Sequence, residues 1–194
     1  MNHPLRHLQD LWSKAKQSGV LPHRNVICVS TIDDQGFPHS RFVDLKEINQ
    51  EGLIFCTDLK SNKAKEILNN PKVSLTIWWE HVANQIRIQG FCSLIDPQLA
   101  DSYWEKRVHD AQVVSYIFDQ SQEIESLEAM QQKFLDEKSK YDRHNLIRPE
   151  TWGGFIIKPI QIEFLEFKET RLHLRTQYSL NSTDQLWVKT FLQP

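Results

Sequence analysis

Basic side chains recur in four short segments of this sequence, each at a spacing that would suit an anion. The first segment places Lys60, Lys63 and Lys65 around the predicted start of a helix, with Ser61 as a plausible N-cap. A helix N-terminus already carries partial positive charge, so lysines are unfavourable there unless an anion, usually a phosphate, binds to the free N–H groups. A lysine-rich helix exposed to solvent is the alternative interpretation.

A second basic segment lies near the C-terminus, in a strand predicted over 172–179. Alternation along a strand would place Arg171, His173 and Arg175 on one face. Three potential cations on one sheet face repel one another unless an anion or carboxylates lie between them. Pairing with an acidic neighbour such as Glu163 explains the segment equally well.

Two further segments offer weaker anion sites. Tyr103 and Arg107 are four residues apart, so they share a helix face and both could donate to one phosphate. An arginine near a helix C-terminus is also favourable by itself. The strand from Arg41 to Lys46 has a cation at each end, and strand parity predicts that the two point to opposite faces.

Composition limits the classes of protein to which the chain can belong. A net charge of −2 over 194 residues excludes a broadly basic nucleic-acid binder, so any anion site must come from local clusters. The three cysteines form no CxxC pair and are typical of buried free thiols in a reducing compartment. No apolar run approaches the roughly 20 residues that cross a bilayer, and the N-terminus lacks the apolar core of a signal peptide. The sequence therefore predicts a cytoplasmic protein with no nucleic-acid or membrane partner.

Metal and nucleophile chemistry has little support. His3 and His7 are helix-spaced but lack a third ligand, and no cysteine has a base placed beside it by sequence. We predict no metal site.

The elements that position these residues are mostly short strands separated by turn residues, which indicates a barrel or sandwich with helices packed around it. Gly90 interrupts the alternation of one strand, as at a bulge. We expect one domain over 1–194, with a helical arm over 1–20 and a helical insert over 96–145. The strands are predicted at 26–32, 40–46, 53–57, 73–79, 85–89, 154–158, 162–167, 172–179 and 186–191.

Taken in order, these segments resemble the pyridoxine/pyridoxamine 5′-phosphate oxidase family from about Asn25 to Pro194. The likeness is carried by Arg41-Phe42-Val43-Asp44-Leu45-Lys46, Thr57 with Ser61-Asn62-Lys63-Ala64, Asn70-Pro71-Lys72-Val73-Ser74-Leu75, Gln85, Tyr103 with Arg107, Gln120-Ser121, Trp152-Gly153-Gly154-Phe155, Ile162-Glu163-Phe164 and Arg171-Leu172-His173.

The resemblance implies a mainly β fold with peripheral helices, the Greek-key-like FMN-binding split β-barrel, working as a homodimer with FMN at the interface. It implies oxidation of pyridoxine or pyridoxamine 5′-phosphate to pyridoxal 5′-phosphate, with dioxygen as acceptor. FMN would lie along the strand Arg41, Phe42, Val43, Asp44, Leu45 and Lys46, with its phosphate on Arg41, Lys63 and Thr57 beside Cys56. Gln120 and Ser121 would reach that phosphate from the partner chain, while Gln85 and Arg175 would lie near the flavin ring. Lys46, Tyr103 and Arg107 would hold the phosphate of the pyridine substrate, and Arg171 and His173 would act as catalytic residues that also bind its ring.

Several positions depart from the family pattern. Asn62 replaces a basic residue, Ala111 a serine that would contact the substrate phosphate, and Leu165 a tryptophan near the flavin; Leu174, Cys56 and Asp44 are also unusual. These departures leave two alternatives open. The first is an FMN-dependent oxidoreductase acting on another reduced aromatic compound, such as a phenazine precursor. The second is a non-catalytic module that binds flavin, haem or pyridoxal phosphate.

Overall fold

In the computed structural model, the described residues are 3–17, 25–141 and 146–194. Both ends of the predicted arm, and the last residues of the predicted insert, lie outside these ranges. Within them the helices are α1 Pro4–Gln17, α2 Asn62–Asn69, α3 Pro97–Glu105, α4 His109–Ile117 and α5 Leu127–Lys138. The strands are β1 Val26–Ile32, β2 Pro38–Ile48, β3 Leu53–Asp58, β4 Lys72–Trp79, β5 Asn84–Leu94, β6 Trp152–Glu166, β7 Leu174–Leu180 and β8 Trp187–Leu192.

Six of the strands close into a barrel. The sheet order is β3-β2-β1-β4-β5-β6-β7-β8, and β3 also pairs with β6. Strands β1 to β3 are consecutive neighbours, and β4 returns beside β1, which is a Greek-key order. The prediction of a mainly β barrel with peripheral helices is confirmed.

The barrel interior is apolar because alternate residues of each strand point inward. Strand β4 shows this directly, since Val73, Leu75, Ile77 and Trp79 are buried and the residues between them are exposed. The amphipathic helix α1 packs its leucines and Trp12 into the same core. A smaller buried cluster outside the barrel holds α3 against β3 and β6.

Two strand predictions at the C-terminal end are wrong. The segments predicted at 154–158 and 162–167 form one 15-residue strand, β6. It continues past Pro159 because the register shifts there, opposite Gly90, where the sequence predicts a bulge. Strand β7 begins at Leu174, two residues later than predicted.

Candidate functional site

The first group of candidate residues gathers at the start of α2. The Lys63 amine donates to Thr57 Oγ1 at 3.1 Å and to Gln120 Oε1 at 2.9 Å, both of them neutral acceptors. Burial lowers the pKa of Lys63, and the nearby Arg41 guanidinium lowers it further. Two cations are therefore held close together, beside the N–H groups of a helix start, in the arrangement that favours a bound anion.

Arg41 is held in place by a buried carboxylate. Its Nη2 donates to Glu66 Oε2 at 3.0 Å, and its Nη1 donates to Thr31. His39 Nδ1 lies 2.7 Å from the other Glu66 oxygen. Burial alone would raise the pKa of Glu66, but hydrogen bonds from Thr31, His39 and Arg41 together lower it. Glu66 lies in α2 with Lys63, so its bonds to Arg41 and His39 link this helix to β2.

The second group lies around the Cys56 thiol. Burial raises the pKa of Cys56 to about 11, while the charges of Lys46 and Arg107 act on it in the opposite direction. Lys46 Nζ lies 2.5 Å from Asp44 Oδ2. Tyr103 donates its hydroxyl to Glu47 Oε2 at 2.7 Å. Burial, and then this carboxylate, raise the pKa of Tyr103, so its hydroxyl is a hydrogen-bond donor at neutral pH.

Arg107 lies beside aromatic rings at the edge of this group. Its guanidinium carbon is 4.9 Å from the Trp152 ring centre, and burial lowers its pKa. Its Nη2 donates to the Ala111 carbonyl at 2.9 Å and lies 3.2 Å from Ser115 Oγ. Its buried Nε has no hydrogen-bond partner among the described residues. That free donor fits an anionic ligand.

A cavity of about 300 Å³ is lined by residues of both groups. Its walls include Lys63, Thr57, Gln120, Arg107 and Ser115. Of the strand predicted to carry FMN, the residues Phe42, Val43 and Asp44 also line it. The Leu45 side chain is buried in the barrel core, so this residue has only its main chain left for a ligand.

A third group lies on β5, β6 and β7, where the sheet continues beyond the closed barrel. Gln85, Leu165 and Arg175 are directly opposite one another on β5, β6 and β7, so their side chains share a face. Arg175 donates through Nε and Nη2 to Glu163 Oε1 at 2.9 and 2.8 Å. Glu163 is a buried carboxylate, so it fixes the guanidinium in one orientation.

Arg171 and His173 are placed differently from the prediction. Both lie in the turn before β7, so they do not form a strand face with Arg175. Arg171 adopts a left-handed backbone conformation with a φ of 64°, and its carbonyl accepts from the His173 N–H at 3.0 Å. The His173 Nδ1 accepts from the Lys168 N–H at 3.1 Å, which fixes its ring beside Phe167.

The third group is separate from the first two within one chain. His173 and Arg175 line a cavity of about 670 Å³ that shares no residue with the smaller cavity. The prediction that Gln120 acts from a partner chain is not supported, since it contacts Lys63 and Thr57 of its own chain. Ser121, the next residue, is exposed with a φ of 75°.

Three contributors to the site escaped the sequence analysis. Glu66 and Glu47 are carboxylates whose role depends on pairing between elements, which spacing does not reveal. Glu163, in contrast, was named there as a possible acidic partner of the basic segment near the C-terminus, and it pairs with Arg175. Ser115 could have been found, because it lies four residues after Ala111 and so shares its helix face.

The described part of the chain holds no cluster of three or more His, Cys, Asp or Glu side chains that could bind a metal ion. Nor is any helix in that part both long and apolar enough to span a membrane.

The sequence matches two family profiles in succession. Residues 13–139 match the profile described as pyridoxamine 5′-phosphate oxidase. Residues 152–194 match the pyridoxine 5′-phosphate oxidase C-terminal dimerisation region. All three groups of candidate residues lie within these two ranges.

Curated relatives cover nearly the whole chain. The pyridoxine/pyridoxamine 5′-phosphate oxidase of Chromohalobacter salexigens is 33% identical over 183 residues, covering 94% of this chain and 85% of the relative. The corresponding protein of Bartonella henselae is 34% identical over 171 residues, covering 88% and 83%.

Solved structures share the fold. PhzG from Burkholderia lata, in complex with tetrahydrophenazine-1-carboxylic acid, has a TM-score of 0.91 and 26% identity, covering 100% of this chain and 94% of that one. A pyridoxamine 5′-phosphate oxidase-related, FMN-binding protein from Nostoc punctiforme has a TM-score of 0.81 at 18% identity and covers both chains fully.

Proposed function

The chain belongs to the pyridoxamine 5′-phosphate oxidase family, and from that premise we propose that it is an FMN-dependent oxidase of a small ring compound bearing an acidic group. Pyridoxine and pyridoxamine 5′-phosphate are the first substrates to test, because the curated relatives are named for them. The observation that carries the proposal is that Lys63, with Arg41 near it, and Arg107, whose Nε is unpaired among the described residues, line one cavity.

The residues of the first group suit the phosphate of FMN. Arg41 and Lys63 would bind it by charge-assisted hydrogen bonds, with Thr57 and Gln120 as further donors. Gln85 and Arg175, which share a sheet face, would contact the flavin ring. When bound, FMN supplies the redox chemistry, accepting a hydride from the substrate and returning two electrons to dioxygen as hydrogen peroxide.

The residues of the second group would bind and orient the substrate. Lys46, Tyr103 and Arg107 are donors at neutral pH and would hold its acidic group. Arg171 and His173 would cover its ring and keep the reacting carbon against the flavin, which is catalysis by orientation. The product from pyridoxine or pyridoxamine 5′-phosphate would be the aldehyde pyridoxal 5′-phosphate.

We propose that the complete site forms in a homodimer. In one chain the two cavities share no residue, and the C-terminal match is to a dimerisation region. A two-fold partner would bring the Arg171–Arg175 turn of one subunit to the Lys63 cavity of the other. The three free cysteines suit a reducing compartment, and we propose the cytoplasm.

The direct test is the absorption spectrum of the purified protein before and after anaerobic addition of pyridoxamine 5′-phosphate. We expect a bound-flavin spectrum that bleaches on addition and recovers when oxygen is admitted. The Arg171→Ala variant should keep the flavin and lose the bleaching. A flavin that stays oxidised with every ring donor would contradict the proposal.

A second candidate substrate is a reduced ring compound carrying a carboxylate. The replacement of the usual serine by Ala111 favours it, and the structurally similar Burkholderia protein binds a ring carboxylic acid. A panel of donors in single-turnover flavin reduction would separate the two. A binding module without catalysis would instead hold its ligand and produce no peroxide with any donor.

A further inference from the structure

Carboxylates already occupy two of the three donors in the subsite proposed for the acidic group of the substrate. Lys46 Nζ is 2.5 Å from Asp44 Oδ2. The Tyr103 hydroxyl donates to Glu47 Oε2 at 2.7 Å. An incoming anion must therefore displace these contacts or bind beside two carboxylates.

The formal charges of this subsite cancel. Lys46 and Arg107 supply two positive charges, Asp44 and Glu47 supply two negative ones, and Tyr103 is neutral. Arg107 is the donor that remains available, since its Nε has no partner in the described part of the chain and its Nη2 contacts only a carbonyl and a hydroxyl.

The neighbouring Lys63 provides a contrast within the same cavity. Its amine donates to neutral oxygens of Thr57 and Gln120, and no carboxylate of residues 3–17, 25–141 or 146–194 is hydrogen-bonded to it. A dianion such as the FMN phosphate displaces no ion pair from that amine. Arg41 of the first group is also paired with a carboxylate, Glu66, so the contrast concerns the Lys63 amine and not the whole cofactor end.

We propose that Asp44 and Glu47 are specificity-determining residues: they cancel the preference that Lys46 and Arg107 alone would give this subsite for a phosphate dianion, and so admit a singly charged acid such as a ring-bound carboxylate. Coulomb energy scales with the charge of the ligand, so a dianion experiences about twice the repulsion from these carboxylates that a monoanion does. The inference rests on the proposed function, because it concerns the substrate of that same site.

The test measures two ligands on the flavin-loaded protein, by the change that each causes in the flavin absorption. One is pyridoxal 5′-phosphate, a dianion near pH 8, and the other is phenazine-1-carboxylate, a monoanion. In the variant Asp44→Asn with Glu47→Gln, we expect pyridoxal 5′-phosphate to bind about tenfold more tightly and the carboxylate only about threefold, because the free-energy gain follows ligand charge. Each ligand is compared with itself, so the difference in ring size cancels.

Glu51→Gln is the matched control. It removes the same charge from an exposed carboxylate in the turn after β2, 3.7 Å from Lys158, and should change neither affinity. Either single variant, Asp44→Asn or Glu47→Gln, should show part of the effect, so the test does not depend on the double variant alone.

Equal gains for both ligands, no gain, or a loss of pyridoxal 5′-phosphate affinity would overturn the inference. A loss would mean that the carboxylates orient the donors for phosphate. Failure of the flavin to respond to either ligand in all variants would mean that the subsite is elsewhere. Loss of bleaching with every donor, while the charge-dependent affinities remain, would instead reject the oxidase function alone.

Discussion

A lysine amine that donates only to neutral oxygens, with an arginine nearby, is in a less favourable environment than the same amine in water. Lys63 is such a lysine, and burial together with the charge of Arg41 lowers its pKa. A bound phosphate would relieve the repulsion from Arg41 and supply the missing counter-charge. Lys63 is therefore the residue at which the cofactor proposal is most directly testable.

We expect Lys63→Met to weaken FMN binding at least about tenfold, since a hydrogen bond to a charged group typically contributes about 1.5–3 kcal/mol. Titration of the apoprotein with FMN, followed by quenching of flavin fluorescence, measures the dissociation constant. The control is Lys65→Met, which removes the same charge from an exposed position on the same helix. Equal losses in both variants would show a general charge effect and no specific contact.

Glu66 predicts a pH dependence of stability. Its pKa in the folded state is lowered from the ordinary 4.5, so its contribution is fully present above that value and is lost as the pH falls through the lowered one. We expect Glu66→Gln to reduce the free energy of unfolding by about 2 kcal/mol at neutral pH. The difference from the unaltered protein should shrink as the pH falls below 4.5.

Urea unfolding at a series of pH values measures this difference. The exposed Glu128→Gln change in α5 should have little effect at any pH. A constant gap between Glu66→Gln and the unaltered protein across the acid range would mean that the carboxylate charge does not contribute.

Sequence reasoning located single residues well where the pattern was local. Lysines at a helix start, and a tyrosine four residues before an arginine, were recognisable without a structure. The predicted alternation was wrong for Arg171 and His173, because side chains alternate only inside a strand. Both residues precede β7, and Arg171 has a positive φ that a strand does not allow. The pairing of Glu66 with Arg41 spans 25 residues, a separation that no local spacing encodes.

At the scale of elements, the hydrophobic alternation predicted nine strands, and each of the eight strands observed in the described residues overlaps at least one of them, but the prediction divided β6 into two. Pro159 cannot donate to a sheet ladder. The strand continues because the proline lies opposite Gly90 at a register shift, where the ladder is already interrupted. The closure of β3 on β6 was also beyond sequence, since it joins segments about a hundred residues apart.

The bulge at Gly90 predicts a strong substitution effect. A Cβ at this position would lie 2.4 Å from the Lys158 carbonyl oxygen, so β5 and β6 would have to separate. We expect Gly90→Ala to lower the free energy of unfolding by about 3 kcal/mol or more, as overpacking against the backbone does. Chemical denaturation monitored by tryptophan fluorescence measures it.

Gly36→Ala is the comparison within the same fold. Gly36 has a φ of +89°, and a Cβ at this position would have no atom of the described chain within 4 Å, so only backbone strain of about 1–2 kcal/mol is expected. A Gly90→Ala variant no less stable than Gly36→Ala would show that the two strands yield at the bulge without cost.

The molecule as a whole has a mildly acidic net charge, yet its cations gather around two separate cavities. Sequence composition excluded some classes of protein but could not show this separation. The separation matters, because the residues proposed for one reaction are divided between two regions that a single chain does not bring together. The two-fold dimer proposed above would resolve this division by completing each site with residues of the partner.

If each site is built from both subunits, two inactive variants should restore activity in a mixed dimer. A site built within one chain would not show this recovery. Lys46→Met and Arg171→Ala damage different halves of the site, so each homodimer should be inactive. In a mixed dimer one site carries both defects and the other carries none. Random mixing makes half the molecules mixed dimers, each with one intact site, so coexpression should restore roughly a quarter of the normal activity.

The control is a mixture of the Lys46→Met chain with a chain that carries both changes. This mixture should stay inactive, because every site then lacks Lys46. Recovery in the first mixture, measured as peroxide production per dimer, would require that the two halves come from different subunits. Its absence, with mixed dimers present, would place the whole site within one chain.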